Sequence, residues 1–341
     1  MILSPEIIKR IIYFVEPCWY PVIYYLFNNV LNMPQPSSFQ IDVFLYYSAK
    51  KGDKQLCYLA KNLGSKNFNL MLYGSAKGGY EELCRIAKKW GAWDSNTMLR
   101  FAAKKGHEHL CYLAKQWNAI NFNQMLIQAT KGGYENICHL AKKWGADDFD
   151  IMLYNATERG YEHMCRLAKK WGADDFDEML YIAAKHNYEH LCYLAKEWGA
   201  TKFNWMLSGA ATAGHEHLCR LAKKWGAYDF NIMLISAAFG GHEHLCYLAK
   251  KWGARNFNRM LNHAAKGGHE NICCLAKEWG ANNFNIMLET ATEEGHEHIC
   301  RLAKEWGATN FRIMLHVATL RENERLCQLA KKWITATTNS K

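Results

Sequence analysis

No run in this sequence is both long enough and apolar enough to cross a bilayer. The most apolar stretch, Ile11 to Leu31, is broken by Glu16, Pro17, Pro21, Asn28 and Asn29. A spanning helix takes about 20 mostly apolar residues without such breaks, so neither a membrane anchor nor a membrane partner is expected. The pattern of a secretory leader is missing too, because Pro5 and Glu6 stand where a positive segment should run into an apolar one. No glycine-rich phosphate loop, nucleophile elbow or metal-ligand cluster stands apart from the rest. These absences point away from an enzyme and from a bound cofactor or metal. What is there is half hydrophobic and 22% charged, with a net charge of +10. Such a chain can bury a sizeable core, and its positive excess permits acidic or nucleic-acid partners without requiring them.

The cysteines carry the organisation. Eleven of the 13 fall at Cys57, Cys84, Cys111, Cys138, Cys165, Cys192, Cys219, Cys246, Cys273, Cys300 and Cys327, every interval being 27 residues. Tryptophan recurs six residues later from Trp90 to Trp333, with Leu63 in the first repeat. Methionine recurs thirteen residues earlier from Met71 to Met314, with Phe44 in the first. A fixed period of this size is the signature of stacked repeats, each burying its apolar face against its neighbours. An all-α solenoid of eleven repeats over residues 38–336 is therefore expected, preceded by 1–37 and followed by a tail at 337–341.

Each unit predicts two short helices. In the repeat that starts at Phe257, Asn258 is the expected N-cap, with Asn69, Asn204 and Asp150 at the same place elsewhere. Met260, Leu261, Ala264 and Ala265 form an apolar face at helical spacing, and Gly268 ends the helix, with Asn187 replacing that glycine in one repeat. The second helix places Ile272, Cys273, Leu275, Ala276 and Trp279 on one face, and Gly280 stops it.

This pattern resembles the ankyrin repeat, with its Leu-x-x-Ala-Ala, its Gly-His turn, a second apolar helix and a closing Gly-Ala. Leu261, Ala264, Ala265, Gly268, His269, Ile272, Leu275, Gly280 and Ala281 carry the resemblance, which extends over all eleven units. The Thr-Pro that opens an ankyrin helix is absent, and the unit is short of the usual length of about 33 residues. The missing stretch implies short projecting fingers or none. Arrays rich in Cys, Trp and Lys are similar to those encoded by large DNA viruses. That likeness implies a monomeric, cytoplasmic host-interaction factor in the infected cell, binding a host or viral protein.

The residues that look chemical have plainer roles. Stacked helices lie roughly 8–10 Å apart, whereas bridged cysteines need Cα atoms within about 7 Å. The cysteine ladder is therefore expected to pack as small hydrophobes, reduced, as in an intracellular protein. In His107-Glu108-His109 and His242-Glu243-His244 the histidines are two apart on a helix and cannot close on one metal. Tyr80, Tyr134, Tyr161 and Tyr188 take the place of the first histidine, which the ankyrin resemblance assigns to holding the turn by hydrogen bonding. The lysines from Lys61 to Lys331, one per repeat, complement the helix dipole, while glutamates such as Glu108 and Glu243 occupy the opposite end. Taken as a stripe, the same lysines could track a phosphate backbone, giving a nucleic-acid-binding alternative.

Function is expected where the template varies, in the two residues after Ala-Ala. These are Lys104 and Lys105, Glu158 and Arg159, Lys185 and His186, Thr212 and Ala213, Phe239 and Gly240, Glu293 and Glu294, and Leu320 and Arg321. In the ankyrin family they line the concave, partner-binding groove. Phe239 stands as either an exposed anchor or an inter-repeat contact. At the N-terminus, Leu3, Glu6, Ile7, Ile11, Phe14 and Val15 resemble the opening helix of an F-box, which implies docking to a Skp1-type ubiquitin-ligase subunit. The alternative for this segment is a cap on the end of the stack. In the last repeat Arg312 replaces the expected N-cap, Glu322-Asn323 replaces Gly-His, and the helix from Glu324 looks like the closing cap.

Overall fold

The computed structural model describes residues 37–338; the F-box-like residues Leu3 to Val15 lie outside the described residues. The five prolines of the chain all precede residue 37, so nothing in the described stretch removes a backbone donor from a helix. It holds 22 helices and no strand, two helices per repeat, and none is long and apolar enough to cross a membrane. The chain divides into two compact units, Met1–Ala173 and Asp174–Lys341, each a helical-repeat solenoid.

In the first unit the helices are α1 (Ser38–Lys51), α2 (Lys54–Asn62), α3 (Phe68–Gly78), α4 (Glu81–Lys89), α5 (Ser95–Lys105), α6 (Glu108–Gln116), α7 (Phe122–Gly132), α8 (Glu135–Lys143), α9 (Phe149–Glu158) and α10 (Glu162–Trp171). In the second they are α11 (Phe176–Lys185), α12 (Glu189–Glu197), α13 (Phe203–Ala213), α14 (Glu216–Trp225), α15 (Phe230–Gly240), α16 (Glu243–Trp252), α17 (Phe257–Gly267), α18 (Glu270–Glu278), α19 (Phe284–Glu293), α20 (Glu297–Glu305), α21 (Phe311–Leu320) and α22 (Glu324–Thr338). Odd-numbered helices open each repeat. Within each unit they pack on one another and on their own even-numbered partners, while neighbouring even-numbered helices touch far less.

The expected core is observed, apart from Trp279. Met260, Leu261, Ala264 and Ala265 are fully buried, as are Cys273 and Ala276, and Ile272 and Leu275 are nearly so. The alanines keep the odd helices close, and in six places glycine brings them closer still. A Cβ on Gly74 would lie 2.2 Å from the carbonyl oxygen of Tyr46 on α1. The turn residues behave as their chemistry requires: Gly268 has φ 74° and Asn187 has φ 65°, both in the left-handed region. The first helix begins with a complete capping box, in which Ser37 and Gln40 satisfy each other's backbone N–H groups. At the other end α22 continues to Thr338, past the boundary at 337 where a tail was expected. Ile334 stands there in place of the stopping glycine.

Candidate binding face

The expected N-cap is corrected by the structure. Helix α17 begins two residues earlier, with Asn256 as its cap, and Asn258 lies inside the first turn. Its side-chain oxygen instead accepts the backbone N–H groups of Asn282 and Asn283, at 2.8 and 3.1 Å, in the loop of the next repeat. Asn204 does the same for Tyr228 and Asp229, both at 3.0 Å, and Asn69 for Trp93 and Asp94. Asp150 likewise falls inside its helix, where Asp148 is the cap. The pattern also gives Arg312 a reason, since no further repeat in the described chain offers it two donors.

Two more ladders join the repeats. The ring of His269 donates from Nε2 to the carbonyl of Phe239, 3.0 Å away and 30 residues back. His242 does so to Thr212 at 3.1 Å and His107 to Lys77 at 3.4 Å. A carbonyl can only accept, so Nε2 carries the proton. The histidine thus ties its repeat to the preceding one, beyond the local turn its Gly-His context implied. The lysine ladder, too, reaches a neighbour. Lys250 Nζ lies 4.1 Å from the ring centre of Trp279, Lys223 lies 4.3 Å from Trp252, and Lys61 lies 4.3 Å from Trp90. Trp279 is half-buried, held edge-to-face between Tyr247 and Phe257 at 5.2 and 5.4 Å, and is not part of the fully buried stripe. Cation–π contact is a stronger account of these lysines than helix-dipole complementarity alone.

With these contacts assigned, the face that remains in each unit runs along its odd helices. Around the recurring Met-Leu and Ala-Ala (or Ala-Thr) pairs stand residues whose chemistry varies along the array, at i, i+3, i+4 and i+7, hence on one side of the helix. On α9 they are Ile151, Tyr154, Asn155 and Glu158; on α13, Trp205, Ser208, Gly209 and Thr212. Ile151, Tyr154, Trp205, Ile286 and Ile313 are exposed there, each by 40–47%. Sequence reasoning reached only the last position of this face, the residues after Ala-Ala such as Glu158 and Thr212, and missed the rest. Its signal was variation at helical spacing between constant pairs.

The residues expected to bind sit at the C-terminal ends of the same helices. Lys104 and Lys105 close α5; Glu158 and Arg159, Lys185 and His186, and Glu293 and Glu294 close α9, α11 and α19. All are exposed except Glu158, which is half-buried. Lys266 on α17 pairs with Glu294 at 3.8 Å. The Phe239 side chain is 41% exposed, and its backbone carbonyl accepts from His269 as those of Thr212 and Lys266 accept from the histidines of the repeats that follow them. In the first unit this edge is basic, carrying Lys50, Lys51, Lys77, Lys104, Lys105 and Lys131 before the first acid, Glu158.

The fully buried ladder thiols are not poised for covalent chemistry. Burial pushes the Cys57, Cys192 and Cys273 thiols up to about 12, far from the reactive range. Thr292 donates to the carbonyl of Leu288 and touches Cys300 Sγ at 3.5 Å, so even the buried hydroxyls have partners. Among the described residues no group of three or more His, Cys, Asp or Glu side chains could hold a metal. No protein-family model matches the chain, and no curated protein matches it.

Proposed function

We propose that this chain is a non-catalytic protein-interaction scaffold, ankyrin-like in its repeats, that holds a partner protein against the odd-helix face. The observation that supports it is the contrast within each odd helix. A constant buried frame displays half-exposed residues of changing chemistry, which is the requirement for recognition on a rigid support. Given its likeness to arrays of large DNA viruses, the chain acts as a host-interaction factor. In the sharper form of this reading, the F-box-like segment recruits a Skp1-type subunit so that the bound protein is ubiquitinated. The basic edge of the first unit suits an acidic stretch of that protein. The nucleic-acid alternative has less behind it, because the ladder lysines already lie over indole rings; it would rest on Lys50 to Lys131 and would weaken steeply with salt.

Affinity capture with the tagged full-length chain tests this reading. A partner common to replicate captures should be lost with Lys104→Glu/Lys105→Glu or with Trp205→Ala, while helicity is kept. A captured set unchanged by both variants overturns it. A Skp1-type subunit should co-purify with the full chain and not after removal of residues 1–37.

A further inference from the structure

Along α11, α13 and α15 the face sinks into a hollow of about 320 Å³, lined by Glu178, Tyr181, Trp205, Ser208 and Ile232. Its floor comes from what α13 leaves out. Ser208 is small, and a Cβ on Gly209 would meet the Tyr181 carbonyl oxygen at 2.6 Å and the Tyr181 ring at 3.1 Å. The Tyr181 ring therefore leans against bare backbone, and the room a larger side chain would fill stays open. Trp205 is 43% exposed. One part of its indole is covered by Lys202, whose Nζ lies 4.1 Å from the ring centre and 3.6 Å from Asp177. Lys202 does not line the hollow, so the indole surface that does is uncovered. Glu178 brings a carboxylate that forms no ion pair among the described residues, and no cation lines the hollow.

Two aromatic rings and a carboxylate on apolar walls make a negative pocket in a chain whose net charge is +10. Its complement is a cation with a flat, weakly hydrated body. A guanidinium stacks on indole and offers a fork to a carboxylate, whereas an ammonium is a strongly hydrated point charge. We propose that this hollow receives an arginine side chain from the partner protein. The proposal rests on the scaffold reading and names one anchor of the partner.

The test uses the full-length chain with 15N-labelled tryptophan, the Trp205 indole resonance being assigned by its absence in Trp205→Phe. The probe is N-acetyl-arginine-methylamide, with the citrulline and lysine analogues as comparisons. The arginine probe should shift the Trp205 resonance saturably with a dissociation constant on the order of millimolar. The citrulline and lysine probes should bind about tenfold more weakly, and Glu178→Gln should lose about tenfold and abolish the preference for arginine over citrulline. An unmoved Trp205 resonance, equal binding of citrulline or lysine, or a preference surviving Glu178→Gln overturns the proposal. If partner capture depends on the face while arginine leaves Trp205 unmoved, the hollow alone is misassigned. If arginine binds while capture ignores the face, the scaffold reading falls and the site stands.

Discussion

Burial holds the fully enclosed ladder thiols protonated. Cys246 and Cys273 are fully enclosed, and desolvation, aided by nearby Glu243 for Cys246 and by Cys274 for Cys273, pushes both up to about 12. Cys274, beside them in sequence, is only half-buried. Among the described cysteines, alkylation of the native protein by iodoacetamide near pH 8, read by peptide mass spectrometry, should therefore mark Cys274 and Cys327 first. The fully buried ladder cysteines should react only when the chain is unfolded. The histidines make a second residue-scale prediction. Burial, and then the charges of His244, His215 and His269, hold the His242 ring below its ordinary 6.5. The folded state then resists a proton that the unfolded chain accepts. Stability should be level above about pH 6.5 and fall as pH drops below it, until the folded ring itself protonates. His242→Tyr, a residue other repeats carry at this place, should shrink the loss of melting temperature between pH 7.5 and pH 5. An unchanged loss would remove His242 from the account.

At the scale of the element, the inter-repeat bonds make separable predictions. Asn258→Ala strips an acceptor from two backbone N–H groups and should destabilise by about 1–2 kcal/mol. Asn258→Asp should retain most of the stability, because Asp177 performs the same task for Thr201 and Lys202, both at 2.8 Å. Denaturant midpoints of the two variants decide it; equal losses would mean the side-chain oxygen is not what matters. Glycine serves two different needs. Gly226 has φ 112° with nothing near its Cβ position, whereas Gly241 has φ 82° and a Cβ there would lie 2.7 Å from the His269 ring. Both alanine variants should cost about 1 kcal/mol for the backbone. Gly241→Ala should cost more, because it also displaces the ring that binds Phe239. Equal midpoints would show that the ring moves aside freely.

At the scale of the whole molecule, stability within each unit is a sum of repeats and their interfaces, since odd helices pack on their immediate neighbours. Leu261→Ala removes a fully buried side chain and should lose about 2–5 kcal/mol. The loss should also uncouple neighbouring repeats, so that transitions followed by far-UV circular dichroism and by tryptophan fluorescence separate. Coincident transitions would indicate that the unit unfolds as one block.

The sequence by itself determined the period, the two helices of each repeat, the buried Met-Leu, Ala-Ala and Cys positions and the left-handed turns at Gly268 and Asn187. These depend on interactions within a few residues, repeated often enough that position alone exposes them. Only the tertiary structure decided that Asn258 serves a loop 24 residues ahead, that His269 serves a carbonyl 30 residues behind, and that Lys250 lies over Trp279. Each depends on how one repeat is rotated and set against the next, and residue spacing carries no record of that rotation. The hollow beside Trp205 is of the same kind. It exists because Ser208 and Gly209 leave space that Tyr181 and Ile232, from neighbouring helices, enclose.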